Sequence, residues 1–370
     1  MTAAFPAFDE QAMRRALALA ARGLETTDPN PRVGCVIARG SEIVGEGWHA
    51  RAGEAHAEVA ALRAAGGRAT GATAYVTLEP CCHQGRTPPC TDALIEARVA
   101  RVVFALRDPN PCVDGGGAAR LAAAGIAVAH GLLEAEALAM NPGFVKRMRV
   151  GRPWVRLKTA ASLDGRTALA SGASRWITGE AARADVHDWR ARSSAVLTGI
   201  GTLLADDPRL DVRRTQPLLR APARIVVDSQ LRTPPAARLF DTPGPVIVLH
   251  APAAGGARAA AAALVARGAR VEAVDGEARV DLAAALQRLG ELAMNEIWVE
   301  AGPTLAGALL AAGLVDEWLH YLAPKLLGPA ARPLASWPQL ERLDAAPRFS
   351  IAEVTAFGAD LRLRLTPERN

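Results

Sequence analysis

The chain has 370 residues, 50% of them hydrophobic and 22% charged. That composition excludes intrinsic disorder and, at about 100–200 residues per domain, predicts two domains. No apolar run reaches the ~18 residues of a membrane span, and no basic segment followed by an apolar core opens the chain. Neither a membrane anchor nor a secretory leader is therefore expected. The net charge of +5 is mild and aromatic residues make up 4%, so charge fits a phosphorylated small molecule as well as it fits nucleic acid. Five cysteines, an odd number in a long chain, do not form a disulfide framework. Cys81, Cys82 and Cys90 crowd into ten residues, which points to metal or catalysis in a reducing cytosol.

Met13, Leu17, Ala20 and Leu24 recur at helical spacing behind Asp9, which reads as the N-cap of a first helix. Apolar runs predict strands at 33–38 and 43–47, and a helix is expected from His56 to Ala65. A strand over 73–78 stops at Glu79-Pro80, since proline cannot donate to a ladder. Helices at 91–98 and 118–124 then alternate with strands at 101–105 and 126–129. This alternation predicts an α/β sandwich. The stretch Lys146-Arg147-Met148-Arg149-Val150-Gly151-Arg152-Pro153 reads as a solvated basic linker in preference to a nucleic-acid patch. Beyond it strands are expected at 155–158, 195–197, 224–228, 246–250, 297–300 and 318–323, with helices at 255–268 and 282–292. The expected division is a first domain over 1–146 and a second α/β domain over 153–370.

Chemistry concentrates first around His56-Ala57-Glu58. Cys81 follows with 24 residues intervening, and Cys90 after a further eight. A neutral imidazole and two thiolates suit Zn²⁺, and three protein ligands leave a fourth tetrahedral position for water, whose pKa falls toward ~7. Amide dipoles at the start of the helix that Cys90 opens favour thiolate. Glu58 is then the candidate catalytic residue, taking the water's proton and delivering it to a departing amine. Hydrolytic deamination follows as the expected reaction. His-x-Glu with Pro-Cys is the signature of zinc deaminases, although here eight residues and not two separate the cysteines. His83, on the same Gly/Pro-rich loop, is a candidate substrate contact. Cys82 reads as packing, Cys35 as a buried small hydrophobe and Cys112 as a loop thiol.

In the second half, Gly199-Ile200-Gly201 follows an apolar strand, so backbone amides there can approach a phosphate. Leu204 stands where a third glycine would complete the usual fingerprint. Ile297-Trp298-Val299-Glu300 runs through Ala301-Gly302-Pro303-Thr304 into a helix whose first amides can hold a pyrophosphate. An ordinary strand–helix turn is the alternative at both places.

Three segments of the first half carry a family resemblance: Pro29-Asn30-Pro31-Arg32-Val33-Gly34-Cys35-Val36, Gly53-Glu54-Ala55-His56-Ala57-Glu58, and Thr77-Leu78-Glu79-Pro80-Cys81-Cys82-His83-Gln84-Gly85-Arg86-Thr87-Pro88-Pro89-Cys90. Together they resemble the bifunctional riboflavin-biosynthesis deaminase–reductases, and the long loop between the cysteines separates that family from cytidine and tRNA-adenosine deaminases. Cys82 departs from the family, many members of which carry a small hydroxyl residue there. Ser162-Leu163-Asp164-Gly165-Arg166, Ser174-Arg175-Trp176-Ile177-Thr178, Leu204-Ala205-Asp206-Asp207-Pro208 and Val299-Glu300-Ala301-Gly302-Pro303-Thr304 are similar to the family's reductase half.

The resemblance implies a cytidine-deaminase-like αβα sandwich followed by a dihydrofolate-reductase-like α/β domain, with Zn²⁺ and NADPH as cofactors. It implies that Asn30 and His83 hold the pyrimidine and its phosphoribosyl arm, with His49 close to the pocket. Ala160, Trp176, Thr202, Asp206, Ser229 and the loop Gly302, Pro303, Thr304, Leu305, Ala306, Gly307, Ala308 would be NADPH contacts. Ser174, Arg190, Leu210, Arg213 and Glu300 would face the substrate. On that map Arg190 and Arg213 can clamp a phosphate and Trp176 can cover a flat ring. Lys158 reads either as the group that polarises the sugar carbonyl or as a solvated strand-face lysine.

The expected activity is deamination of 2,5-diamino-6-(5-phosphoribosylamino)pyrimidin-4-one followed by NADPH reduction of the ribosyl to the ribityl group. The expected setting is a cytoplasmic homo-oligomer that engages neither nucleic acid nor membrane. Two rivals stay in view. One is a nucleic-acid or nucleoside deaminase with a non-reducing accessory domain, which would need stacking aromatics and a basic groove. The other is a structural zinc beneath a nucleotide-sensing domain.

Overall fold

A computed structural model of the chain describes residues 5–85, 88–252 and 257–368. Arg86 and Thr87 of the cysteine loop and the start of the helix expected at 255–268 lie outside the described residues. The chain divides into two compact units, Met1–Gly151 and Arg152–Asn370.

The first unit runs α1 (Ala7–Ala20), β1 (Gly34–Arg39), β2 (Glu42–Trp48), α2 (Ala57–Ala65), β3 (Thr73–Leu78), α3 (Cys90–Glu96), β4 (Arg101–Leu106), α4 (Gly116–Ala123), β5 (Ala127–His130), α5 (Glu134–Met140) and α6 (Pro142–Val150). Its sheet has the order β2-β1-β3-β4-β5, with β1 antiparallel to both neighbours and β3, β4 and β5 parallel. Side chains alternate across a strand, so β1 feeds two cores at once. Val36 and Ala38 join Met13, Ala16 and Leu19 of α1 and Phe144 of α6 on one face. Cys35 and Ile37 join Ala57 and Ala61 of α2, Leu94 of α3 and Leu121 of α4 on the other. Parallel strands covered on both faces are continuous apolar runs, as Val102, Val103 and Phe104 show.

The second unit runs β6 (Trp154–Ser162), β7 (Arg166–Ala168), α7 (Glu180–Arg192), β8 (Ala195–Gly199), α8 (Ile200–Asp206), β9 (Ala223–Val227), β10 (Val246–His250), α9 (Ala257–Ala266), β11 (Ala269–Ala273), α10 (Leu282–Glu291), β12 (Glu296–Glu300), α11 (Pro303–Ala311), β13 (Glu317–Ala323), β14 (Arg332–Pro333), β15 (Phe349–Phe357) and β16 (Asp360–Pro367). The large sheet has the order β11-β10-β9-β8-β12-β6-β13-β16-β15, while β7 and β14 form a small ribbon. From β11 to β13 the strands are parallel, and the hairpin β15–β16 closes the sheet antiparallel. Helices α10 and α11 cover one face through Leu286, Leu289, Ala306 and Leu309. On the opposite face α7 packs Val186 and Trp189 against Trp298 and Tyr321. Because the strands are parallel, their C-terminal ends share one edge, and loops at that edge are where open α/β sheets bind ligands.

Several expectations are corrected. Asp9 is not an N-cap: helix α1 begins at Ala7, and Asp9 is buried in its first turn. There it accepts hydrogen bonds from Tyr75 Oη at 2.7 Å and from both guanidinium nitrogens of Arg101 at 2.7 and 3.1 Å. The basic stretch at 146–150 is not a linker but the second half of α6. That helix stops at Gly151, whose φ of 71° suits a residue without a Cβ. The strands β11, β15 and β16 and the helix α7 are elements beyond those expected, although Leu361-Arg362-Leu363-Arg364-Leu365 of β16 alternates apolar and charged residues as a strand does.

Candidate active sites

In the first unit three elements converge. His56 directly precedes α2, Glu58 is its second residue, and Cys90 is the first residue of α3. Cys81 stands just past the end of β3. Glycine lets α2 lie this close to the sheet: a Cβ on Gly47 would stand 2.4 Å from Ala61 N and 2.5 Å from Ala57 O. The end of β3 is fixed by Glu79, whose buried carboxylate accepts from the amides of Asp108, Gly115 and Ala118 at 3.3, 3.1 and 3.0 Å. Neither Glu79 nor Asp108 was singled out in the sequence, because their partners are backbone amides that no spacing reveals.

His56, Cys81 and Cys90 bring their ligand atoms within 4.8 Å of one another. His56 Nδ1 lies 3.2 Å from Cys90 Sγ and 3.6 Å from Cys81 Sγ, and the Cys90 amide donates to Cys81 Sγ at 3.3 Å. Hydrogen bonding to Cys90 and His56 draws the Cys81 thiol down to about 4 against its burial, while the partner bond and burial push Cys90 up. A partly buried set of one imidazole and two sulfurs is a donor set for Zn²⁺, and three ligands leave one tetrahedral position free. Burial raises the Glu58 carboxyl to about 7, with the nearby Cys81 sulfur adding to it. A carboxyl so placed can both accept and return a proton at neutral pH.

Asn30 and His49 lie beside this centre. Asn30 Nδ2 donates to His49 Nε2 at 3.1 Å, His49 Nδ1 donates to Ala55 O at 3.0 Å, and the rings of His49 and His56 stand edge to face at 5.3 Å. Burial lowers the His49 pKa, so the ring is neutral. His83 is exposed, and Cys82 lies against the start of α4, where a Cβ on Gly116 would come within 2.9 Å of its sulfur. Cys35 is buried and Cys112 exposed.

In the second unit a cavity of about 1320 Å³ opens at the C-terminal edge of the sheet. Ala160, Ser174, Trp176, Thr202, Asp206, Leu210, Arg213, Ser229, Glu300, Gly302, Pro303, Thr304, Leu305 and Ala308 all line it. Helices α8 and α11 both begin there, and the Gly302 amide donates to Thr202 Oγ1 at 3.0 Å. Two helix N-termini side by side form a fitting seat for a pyrophosphate.

Ala306 and Gly307, expected among the cofactor contacts, do not line it. The expected 302–308 loop is already helix α11 from Pro303, which turns Ala306 into the core. Gly307 faces Ser336, and a Cβ on it would meet Ser336 O at 2.0 Å. Arg190 lines the cavity but is not free to clamp a phosphate. Its guanidinium is bidentate on Glu300 at 2.5 and 2.8 Å and donates to Asp211 O at 2.6 Å. Arg213 pairs with Asp211 at the exposed rim. Trp176 is 63% exposed, and the Arg183 guanidinium lies 4.3 Å from its ring centroid, leaving one ring face open.

Lys158 is not a solvated lysine. It stands opposite Glu300 in the β6–β12 register, lines the cavity, and has its pKa lowered by desolvation. Against the cost of burial, Arg190 and Lys158 hold the Glu300 carboxylate well below the usual range, and Trp298 Nε1 donates to it at 2.8 Å. Lys158 is thus a cation with few competing partners, aimed at the cavity.

Both halves of the chain match known families. Residues 6–106 match the cytidine and deoxycytidylate deaminase zinc-binding region, and 153–363 match the RibD C-terminal domain. The riboflavin biosynthesis protein RibD of Escherichia coli is 53% identical over 370 residues, covering 96% of this chain and 99% of that protein. RibD of Haemophilus influenzae is 47% identical, covering 96% of each. Among solved structures, form 2 of Acinetobacter baumannii RibD superposes with a TM-score of 0.90 at 44% identity, covering 98% of this chain and 99% of that one. The Thermotoga maritima diaminohydroxyphosphoribosylaminopyrimidine deaminase/5-amino-6-(5-phosphoribosylamino)uracil reductase superposes at 0.85 with 32% identity, covering 97% and 99%. With a zinc-type donor set in one unit and a dinucleotide-sized cavity in the other, the chain belongs to the RibD family of bifunctional deaminase–reductases of riboflavin biosynthesis.

Proposed function

We propose that the first unit deaminates 2,5-diamino-6-(5-phosphoribosylamino)pyrimidin-4-one and that the second reduces the ribosyl group of the resulting uracil to ribityl. The observation that carries this reading is the buried Glu58 carboxyl beside the His56, Cys81 and Cys90 triangle. When bound, zinc supplies a nucleophilic hydroxide at neutral pH and NADPH supplies a hydride. Glu58 takes the proton released as the C–O bond forms at the amino-bearing carbon. It returns that proton to the amine, the C–N bond breaks, and ammonia leaves. Asn30 and the neutral His49 hold the ring edge, and His83 lies toward the phosphoribosyl arm. In the second unit Lys158 Nζ, set against Glu300, gives a proton to the sugar oxygen as hydride adds at C1. Arg213 serves the substrate phosphate from the rim, Ser174 and Leu210 line the substrate side, and Trp176 covers the flat ring of the cofactor.

The reading extends to a cytoplasmic homo-oligomer without nucleic-acid partners. Supporting it are the five free cysteines, the 4% aromatic content, and the edge strand β15 that exposes Ile351 and Val354. Among the described residues no helix is long and apolar enough to cross a membrane.

The test supplies zinc-loaded protein with the diaminopyrimidine phosphate, with and without NADPH. Ammonia release in both cases, with NADPH oxidised only after deamination, supports the reading. Absence of ammonia release overturns it. Light scattering decides the oligomeric state.

A further inference from the structure

Residues 107–152 lie between the two regions that match family models, and α6 is the last element of the first unit. The N-cap of α6 is Asn141, a residue type that in this place ordinarily accepts from the amides of its own helix. Asn141 makes no such bond, and Pro142 at the start of the helix has no amide to offer. The buried side chain is turned instead on Arg32, 109 residues earlier. Asn141 Oδ1 accepts from Arg32 N at 2.8 Å, and Asn141 Nδ2 donates to Arg32 O at 2.9 Å.

That pair of bonds copies what a neighbouring strand would give. Beyond the β1–β2 register His49 N donates to Val33 O at 2.9 Å, and Arg32 lies one residue further out. A buried backbone there still needs a donor and an acceptor, and a carboxamide supplies both in one side chain. The rest of the loop is held as well. Arg32 Nη1 donates to Met140 O at 2.9 Å, Arg147 Nη2 of α6 donates to Pro29 O at 3.3 Å, and Asn30 N donates to Thr27 O at 2.7 Å. Asn30, whose Nδ2 meets His49 Nε2, stands two residues from the Asn141 clasp.

We infer that Asn141 is a positioning residue for deamination: its carboxamide fixes the backbone at Arg32 and thereby the place of Asn30 against the substrate ring. The inference rests on the reading that Asn30 holds the ring edge. A shift of about 1 Å in a group that orients substrate costs on the order of 10²-fold in rate. Loss of the clasp is therefore read in deamination and not in metal content.

Steady-state deamination of the diaminopyrimidine phosphate by zinc-loaded, full-length protein tests this, with Asn30→Ala, Asn141→Ala and the double variant. Asn141→Ala should lower kcat/KM by about 10–10²-fold with a raised KM. A smaller folded fraction would lower kcat at constant KM. Zinc content and NADPH reduction of the deaminated uracil should hold. Because Asn141 acts through Asn30, the double variant should lose little more than Asn30→Ala alone. Asn141→Asp keeps the shape and the acceptor for Arg32 N but loses the donor to Arg32 O. It should fall between wild type and Asn141→Ala, and it carries the test if the alanine variant does not fold. An unchanged kcat/KM, a fall in kcat at constant KM, losses that multiply in the double variant, or zinc lost in step with activity overturns the positioning role. If Asn30→Ala itself deaminates normally, the placement of the ring at Asn30 is overturned, and the role of Asn141 with it.

Discussion

Glu58 shows how one residue acquires a role from its surroundings. On an isolated helix a glutamate is ionised at neutral pH, but burial between α2 and the sulfur pair raises this carboxyl to about 7. Glu58→Gln keeps the shape and removes proton transfer. Deamination should fall by about 10²–10⁴-fold with zinc content unchanged by elemental analysis. A structural zinc beneath a sensing domain predicts no such loss. Glu300 illustrates the opposite electrostatics, since it neutralises Arg190 and faces Lys158. Glu300→Gln leaves a buried guanidinium with a neutral partner, and denaturant unfolding should register a loss approaching 3–5 kcal/mol, roughly the cost of breaking a buried pair. His320 contributes one part of the pH dependence, beside His187, whose pKa burial and the nearby Arg190 also lower to about 4. Burial lowers the His320 pKa to about 4, and its Nδ1 lies 2.8 Å from Thr159 Oγ1, which accepts from Trp318 Nε1. Folded His320 therefore resists the proton that the unfolded chain takes up below its ordinary pKa of about 6.5. Stability from this group is present above that pH and is lost as pH falls from about 6.5 to about 4, by up to about 3 kcal/mol. His320→Gln should flatten that part of the stability profile measured by thermal unfolding.

At the scale of elements, motif residues were legible because chemistry constrains them locally, whereas boundaries were not. His56, Glu58, Cys81 and Cys90 announce themselves by residue type and spacing. The supporting frame does not: Glu79 works through three amides of the 108–118 segment, and Gly47 works by lacking a side chain against α2. Gly47→Ala would drive a methyl group into the α2 backbone. It should lower the unfolding free energy by about 1–3 kcal/mol and loosen zinc, read by chelator competition, because α2 carries His56 and Glu58. The stretch at 146–150 misled because polar composition marks both linkers and exposed helix faces. Its second half-turn is set by packing of Phe144 and Val145 beneath it, not by its own residues. Packing likewise takes Ala306 and Gly307 off the cavity surface. The segment after Gly302 is helix from Pro303 onward, and helical rotation then points half of it at the core.

At the scale of the molecule, the candidate zinc triangle belongs to the first unit and the large cavity to the second. Removing zinc with a chelator should abolish ammonia release and leave reduction of the already deaminated uracil unchanged. Loss of both activities would mean that the second unit depends on the metal of the first. By itself the sequence determined the α/β class and the family, and it singled out His56, Cys81, Cys90 and Glu58, which the fold brings together, since residue type, period and spacing are local properties. Tertiary structure alone decided that Arg190 is spent on Glu300, that Lys158 is desolvated and lines the cavity, and that Ala306 turns into the core. Those outcomes depend on which strands become neighbours and which faces lose water, and no local pattern encodes them.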